Sequence, residues 1–301
     1  MNVYIQNVEC QVPDTSYSQS FIRQRMKTWV GQSRRASRYI DNIYRDSGID
    51  KRHSVIADPD SFFKLSGNGH VTVPTTKQRN DLFTRSARKM FVDLAEKAIT
   101  GCENTDFAAI THVVTVSCTG FFNPGPDYEI VKQLGLSRSV QRFNVGFMGC
   151  YGAFPALRLA HTICLVDPGA TVLIVAVELC TLHAQLSHDL DSILGGAIFA
   201  DGGASVIVSA AAPLPGQGVL ELEHFTSTLI PDSEVDMAWT IGDTGFEIVL
   251  SKYVPKIIEC NISGILMPLL DEQGVSVSDI EHGPSIPAEN PYLTRSRRHS
   301  G

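Results

Sequence analysis

The chain has 301 residues, 43% of them hydrophobic and 19% charged, with a net charge of −7. That length buries a large core, in one big domain or two fused halves. The acidic balance argues against nucleic acid as the main partner, and no apolar run approaches the ~20 residues of a membrane helix. The opening MNVYIQNVECQVP lacks the basic segment and apolar core of a signal peptide. Seven cysteines without paired spacing point to reduced thiols and a cytoplasmic location. There is no zinc-type CxxC pair, P-loop or GxGxxG fingerprint. His183 and His188 are too loosely spaced for a metal site, so no metal or cofactor is expected.

In chain order, residues 2–9 read as a strand, followed by a polar, Arg-rich helical region at about 15–47. A turn-rich segment wraps the surface before RNDLFTRSARKMFVDLAEKAITG (79–101), which has helical periodicity. AITHVVTVS is a buried strand and PDYEIVKQLGL a helix. Asn144 to Met148 reads as a strand that meets Gly149, then Cys150, then a long apolar helix. TVLIVAVEL is a further buried strand, DLDSILGGAIFADG a helix with a glycine turn, and ASVIVSA a strand. Near-continuous Val/Ile/Leu strands alternating with helices imply a sheet covered on both faces. The segment AAAPLPGQG (210–218) reads as a connector between two halves. A strand (VLELEHFTSTLI), a loop and a long helix (about 251–271) follow, and VSVSDIEH should lead into another strand.

Cys150 is the residue most suggestive of chemistry. A thiol at a tight strand-to-helix junction sits near backbone N–H groups and the positive end of a helix, which favours the thiolate. Nucleophilic cysteines and serines recur at such junctions. A buried, inert cysteine is the competing reading.

The blocks VSCTGFFNPGPDYEIVKQLGL, RFNVGFMGCYGAFPALRLA, VLIVAVELCTLH, LDSILGGAIFADGGASVIV and IGDTGFEIVLSKYVPKIIECNI resemble the type III polyketide synthases. These are the chalcone-synthase-like members of the thiolase superfamily. Order and spacing agree over about residues 1–282. The resemblance implies an α/β fold: a layered αβαβα sandwich of two similar halves, usually a homodimer. Residues 1–212 would form the N-terminal half and 213–282 part of the second. It implies that Cys150 accepts a starter acyl group from acyl-CoA. Malonyl-CoA then loses CO₂, and the carbanion attacks the thioester in a Claisen condensation; cyclisation would give alkylpyrones, alkylresorcinols, phloroglucinols or chalcones. Acyl-CoA and malonyl-CoA are substrates in this scheme.

The same resemblance assigns Phe199 to a position between the CoA tunnel and the cavity, with core packing as its alternative. It assigns Cys118 and Thr119 to the cavity lining, Asn123 to a dimer-interface position, and Asp201, Gly202 and Gly203 to a structural turn. Arg45, Lys51 and Arg52 fall near the CoA-phosphate contacts, where arginine suits phosphate; a solvated basic face is the alternative. Other readings stay open: a ketoacyl-ACP synthase III-like enzyme, or a non-catalytic remnant that binds acyl-CoA or a dimer partner.

The tail departs from this pattern. The family's catalytic His lies in a W-x-x-H-P-G-G motif, but His282 is followed here by GPSIPAEN. The family's Asn motif and the last elements of the second half are missing too. Inserting one T before the GGN codon of that segment rereads its codons as TGG NCC NTC NAT HCC NGC NGA RAA. These triplets accommodate Trp-Ala-Ile-His-Pro-Gly-Gly-Lys. Residues 283–301 therefore read as the out-of-frame product of a one-base deletion, and the chain as C-terminally truncated. Such a chain is expected to be poorly soluble, to lack condensing activity, or both.

Overall fold

The computed structural model describes residues 1–30, 33–65, 71–251 and 253–280. The tail 283–301 and His282, on which the frameshift expectation rests, lie outside the described residues.

Strand β1 (Tyr4–Gln11) is followed by the short β2 (Ser16–Ser18) and helices α1 (Gln19–Val30) and α2 (Arg34–Asp46). Strand β3 (Lys51–His53) pairs antiparallel with β2. A one-turn helix α3 (Pro59–Phe62) and the small ladder β4 (Lys64–Leu65) and β5 (Val71–Thr72) lead into α4 (Thr76–Thr100). Then come β6 (His112–Ser117), α5 (Pro126–Gln133), β7 (Gln141–Gly146), α6 (Ala153–Val166) and β8 (Thr171–Leu179). A 3₁₀ turn (Cys180–His183), α7 (Leu190–Ile198) and β9 (Asp201–Ser209) complete the alternating part. Beyond it lie β10 (Leu220–Glu221), the hairpin β11 (Met237–Gly242) and β12 (Gly245–Leu250), and α8 (Val254–Gln273).

One six-stranded mixed sheet organises the molecule, in the order β10-β1-β9-β8-β6-β7. Strand β6 runs parallel to both β7 and β8, while β9 is antiparallel to β8 and to β1. Side chains alternate across it, as a two-residue period requires. Val113, Leu173, Val175, Val177 and Ile207 face α4, where Phe83, Phe91, Leu94 and Ala98 fill the layer. Val114, Val116, Val172, Ile174 and Val208 face α6, whose Ala156, Ala160 and Cys164 let it approach closely. Helix α4 starts at a capping box: Thr75 Oγ1 accepts from the Gln78 N–H, and Gln78 Oε1 accepts from the Thr75 N–H. A third cluster joins Met26 of α1 and Ile40 and Tyr44 of α2 to Ile193 and Ala197 of α7.

Several expectations change. The Arg-rich region is a strand followed by two helices rather than one helical stretch. The expected strand at 219–230 shrinks to Leu220–Glu221, which adds to the edge of the first sheet beside β1. Leu229 beyond it is 93% exposed, and no strand among the described residues pairs with that stretch. The segment read as a loop before the last helix is the β11–β12 hairpin, closed by a two-residue turn between Gly242 and Gly245. Within VSVSDIEH, Val277–Asp279 form a 3₁₀ turn, and the strand expected after this segment falls outside the described residues. Helix α8 has no buried residue and leaves Ile258, Ile262, Leu266 and Met267 exposed. No helix among the described residues is long and apolar enough to cross a membrane.

Candidate active site

The parallel strands β6, β7 and β8 deliver their C-terminal ends to one place, the usual location of sites in α/β sheets. Cys118 and Thr119 follow β6, Cys150 follows β7, and Glu178 to His183 close β8.

Strand β7 ends at Gly146, two residues short of the expected boundary, because the chain turns sharply. Phe147 has φ 57° and Gly149 φ 78°. Gly149 meets that angle freely, whereas at Phe147 it is strained. The turn carries Cys150 out to an exposed position three residues before α6 begins. Desolvation of the sulfur, then the Glu178 carboxylate, push the Cys150 thiol up. This corrects the expectation of a thiolate: the helix start is a turn away, while a carboxylate is near.

The backbone of the same turn serves a different sulfur. The Gly149 N–H points at Cys118 Sγ, 3.2 Å away, and the N–H groups of Met148 and Phe147 also converge on it. Desolvation, then Glu178, nevertheless raise the Cys118 thiol above its ordinary value. Cys180 completes a group of three free thiols; its own thiol is pushed well up, by burial first and then by Glu178.

Glu178, not singled out from the sequence, is the electrostatic centre of the site. Its carboxylate accepts from the Cys118 N–H at 2.8 Å and from Thr119 Oγ1 at 2.7 Å. Burial outweighs these bonds and pushes its pKa up to about 7. Thr119 also accepts from the Leu179 N–H at 2.9 Å, so it ties β6 to β8.

His183 is 4% exposed, and both ring nitrogens are committed. Nδ1 accepts from the Phe246 N–H at 3.0 Å, which leaves Nε2–H to donate to the Thr119 carbonyl at 2.8 Å. Burial lowers its pKa to about 4, so it is a neutral structural histidine rather than a base for Cys150. His188 is exposed on the loop before α7. The hairpin supplies the aromatic wall. Phe246 stacks on His183 with ring centroids 4.0 Å apart, Phe121 and Phe147 pack against Phe246, and Trp239 Nε1 donates to the Cys118 carbonyl at 2.9 Å.

Phe199 caps the C-terminal end of α7 and lines a cleft shared with Cys180 and Trp239. Among the residues matched to CoA phosphates, Lys51 is exposed. Arg45 is exposed too and is held by Asp46, with Nε–Oδ1 2.8 Å. Arg52 is only 7% exposed: it gives NH1 to the carbonyls of Gly196 and Phe199, inside the fold. Asp201 and Gly203 lie on β9 rather than in a turn. Asp201 accepts from Thr181 Oγ1 at 2.6 Å and from the Val55 N–H at 2.8 Å, and burial raises its pKa to about 6. Asn123 lies beside the β7 edge, in a groove with Phe121, Arg142 and Asn144.

A thiol on a strand-to-helix turn thus lies at the carboxyl ends of a mixed sheet packed by helices on both faces, the arrangement of a thiolase-like fold. The family model for chalcone and stilbene synthases, N-terminal domain, matches residues 7–213, and the chain belongs to this family. The alpha-pyrone synthesis polyketide synthase-like Pks18 of Mycobacterium tuberculosis is 29% identical over 266 residues, 87% of this chain. The chain spans 66% of that relative's length. A type III pentaketide synthase from Neurospora crassa superposes with a TM-score of 0.83 and 26% identity, over 99% of this chain and 82% of the other. PKS-I from the brown alga Ectocarpus siliculosus gives a TM-score of 0.82 and 27% identity, over 93% and 75% of the two chains.

Proposed function

We propose that the chain carries the acyl-accepting half of a type III polyketide synthase reaction. The Cys150 thiol gives up its proton and attacks the carbonyl of a starter acyl-CoA; the C–S bond to CoA breaks, CoA leaves as a thiolate that takes up a proton, and a thioester remains on the enzyme. A malonyl-CoA carbanion, formed by loss of CO₂, then attacks that thioester, and the extended chain cyclises. The observation that carries this reading is Cys150 on the glycine turn between β7 and α6, beside Cys180 and Glu178. Lys51 and Arg45, both exposed, are the proposed contacts of the CoA phosphates.

The proposed form is a cytoplasmic homodimer. Every residue of β7 except Val145 is exposed, and β7 is the last strand of the sheet. An unpaired edge of this kind supports two-fold pairing with the same edge of a second copy.

A second reading has its own observation. The Cys150 thiol is raised rather than lowered, and His183 has no free ring nitrogen. This favours a remnant that accepts or binds acyl groups without extending them. Incubation with a radiolabelled acyl-CoA, with Cys150→Ala as control, separates the readings. Label on Cys150 plus extension by malonyl-CoA supports the synthase, and label without extension the remnant. Absence of label from the wild-type protein refutes the proposed acyl transfer.

A further inference from the structure

Helices α1 and α2 carry seven Arg and Lys side chains against two Asp, a surplus of five positive charges in a chain whose net charge is −7. Part of that surplus is held in ion pairs. Asp41 is shared by Arg23 and Lys27, with Oδ2 2.7 Å from Lys27 Nζ. Arg25 pairs with Asp60 at 2.9 Å and Arg45 with Asp46 at 2.8 Å. Arg34, Arg35 and Arg38 of α2 are exposed and meet no carboxylate among the described residues. Arg35 reaches only its own helix, with its guanidinium carbon 5.6 Å from the centre of the Tyr39 ring.

Neither packing nor helix stability accounts for the three. The apolar side of α2, Ala36, Ile40 and Tyr44, is already buried against α1 and α7. Arg34 and Arg35 occupy the first turn, where the helix dipole disfavours cations. None of the three lines the thiol cleft or the groove beside β7, as contacts of a small anion bound there would. Spaced three and four residues apart from Arg38, they share one side of the helix.

We propose that this face of α2 docks on an anionic lipid surface, with Arg34, Arg35 and Arg38 against the lipid phosphates. Arginine's planar fork of donors matches phosphate oxygens. Charges more than ~10 Å from the surface are screened at 0.1 M salt, so an acidic protein docks through one basic face. A long nucleic acid would instead run on into the acidic remainder of the chain. Tyr39, beside Arg35, has the amphipathic ring that suits the headgroup layer. The contact brings the thiol cleft towards the membrane, because Ile22, Met26 and Trp29 of α1 and Tyr44 of α2 form part of its wall.

Flotation of the full chain with vesicles on a sucrose gradient is the test, since aggregated protein sinks. Wild type should float with phosphatidylcholine vesicles containing roughly one-third phosphatidylglycerol, and not with pure phosphatidylcholine. Raising salt from about 0.1 to about 0.5 M should release it. Arg34→Gln, Arg35→Gln and Arg38→Gln together should weaken binding about 100-fold, at about fivefold per arginine. Arg34→Lys, Arg35→Lys and Arg38→Lys together keep the charges and should keep most of the affinity. Lys97→Gln, Arg138→Gln and Arg158→Gln together remove the same charge from exposed sites on α4, the α5–β7 loop and α6, and should leave binding unchanged. All three variants should melt within ~2 °C of wild type, as surface changes do. No flotation of wild type, equal flotation with both kinds of vesicle, or an equal loss in the two Gln triples would overturn the docking face. Binding to polyglutamate or duplex DNA as tight as to the vesicles would overturn it too, by making the partner an acidic protein or a nucleic acid. Acyl labelling of Cys150 has no bearing on the outcome.

Discussion

Replacing Glu178 by glutamine should change how stability depends on pH. The carboxyl has a folded pKa of about 7 against an ordinary 4.5, because burial disfavours its charge. Below pH 4.5 both folded and unfolded states hold the proton, and the stabilisation of the protonated form is fully present. Between pH 4.5 and 7 the native state keeps a proton that the unfolded chain has released, so stability falls as pH rises. The slope is up to ~1.4 kcal/mol per pH unit, and a shift of about 2.5 units corresponds to about 3.4 kcal/mol. Because Glu178 is half-buried, solvent screening reduces this to about 2–3 kcal/mol. Glutamine cannot ionise, and its lost acceptor shifts stability by a constant ~1 kcal/mol at every pH. Urea unfolding of both proteins from pH 4.5 to 8 measures the difference. The stability of Glu178→Gln minus that of wild type should grow by about 2–3 kcal/mol across this range. The titrations of His183 and Asp201, common to both proteins, largely cancel in that difference. A difference flat to within ~0.5 kcal/mol would refute the assignment of a raised carboxyl.

Other outcomes follow from neighbouring features. His183 titrates in the opposite sense: its folded pKa of about 4 lies below the ordinary 6.5, so it removes up to ~3.4 kcal/mol as pH falls from 6.5 to 4. His183→Phe should lose that acid sensitivity yet cost ~2–4 kcal/mol at pH 7, since the Thr119 carbonyl and Phe246 N–H are left unpaired; urea unfolding reads both effects. Thr75→Ala removes the cap of α4 and should cost about 1 kcal/mol by the same measurement. A Cβ at Gly203 would lie 2.7 Å from the Ala176 carbonyl and 2.6 Å from Leu94. Gly203→Ala should therefore destabilise by about 1–3 kcal/mol in thermal unfolding.

The sheet was legible because β6 and β8 are unbroken apolar runs, and α4 because its periodicity and cap agree. The placement of Cys150 on a strand-to-helix turn was legible from its glycine and flanking runs, but its electrostatics were not. Those depend on Glu178, one acidic residue near the end of an apolar strand, where sequence pattern carries no warning. The β11–β12 hairpin escaped because its faces are only half-buried and its Asp243–Thr244 turn lacks the usual Asn-Gly or Asp-Gly signal. The burial of Arg52 was equally hidden: its partners are carbonyls about 150 residues away, and nothing local distinguishes it from its exposed neighbour Lys51.

The sheet order has a consequence during synthesis. Strand β1 leaves the ribosome about 190 residues ahead of its long antiparallel partner β9, at residues 201–209. At the usual 5–20 residues per second, β1 waits roughly 10–40 s for that partner. Meanwhile β6, β7 and β8, which lie next to one another in the sheet and follow one another in the chain, can already assemble on α4. The N-terminal strand is then a late arrival that closes the sheet, and for that interval it is the segment most in need of a chaperone.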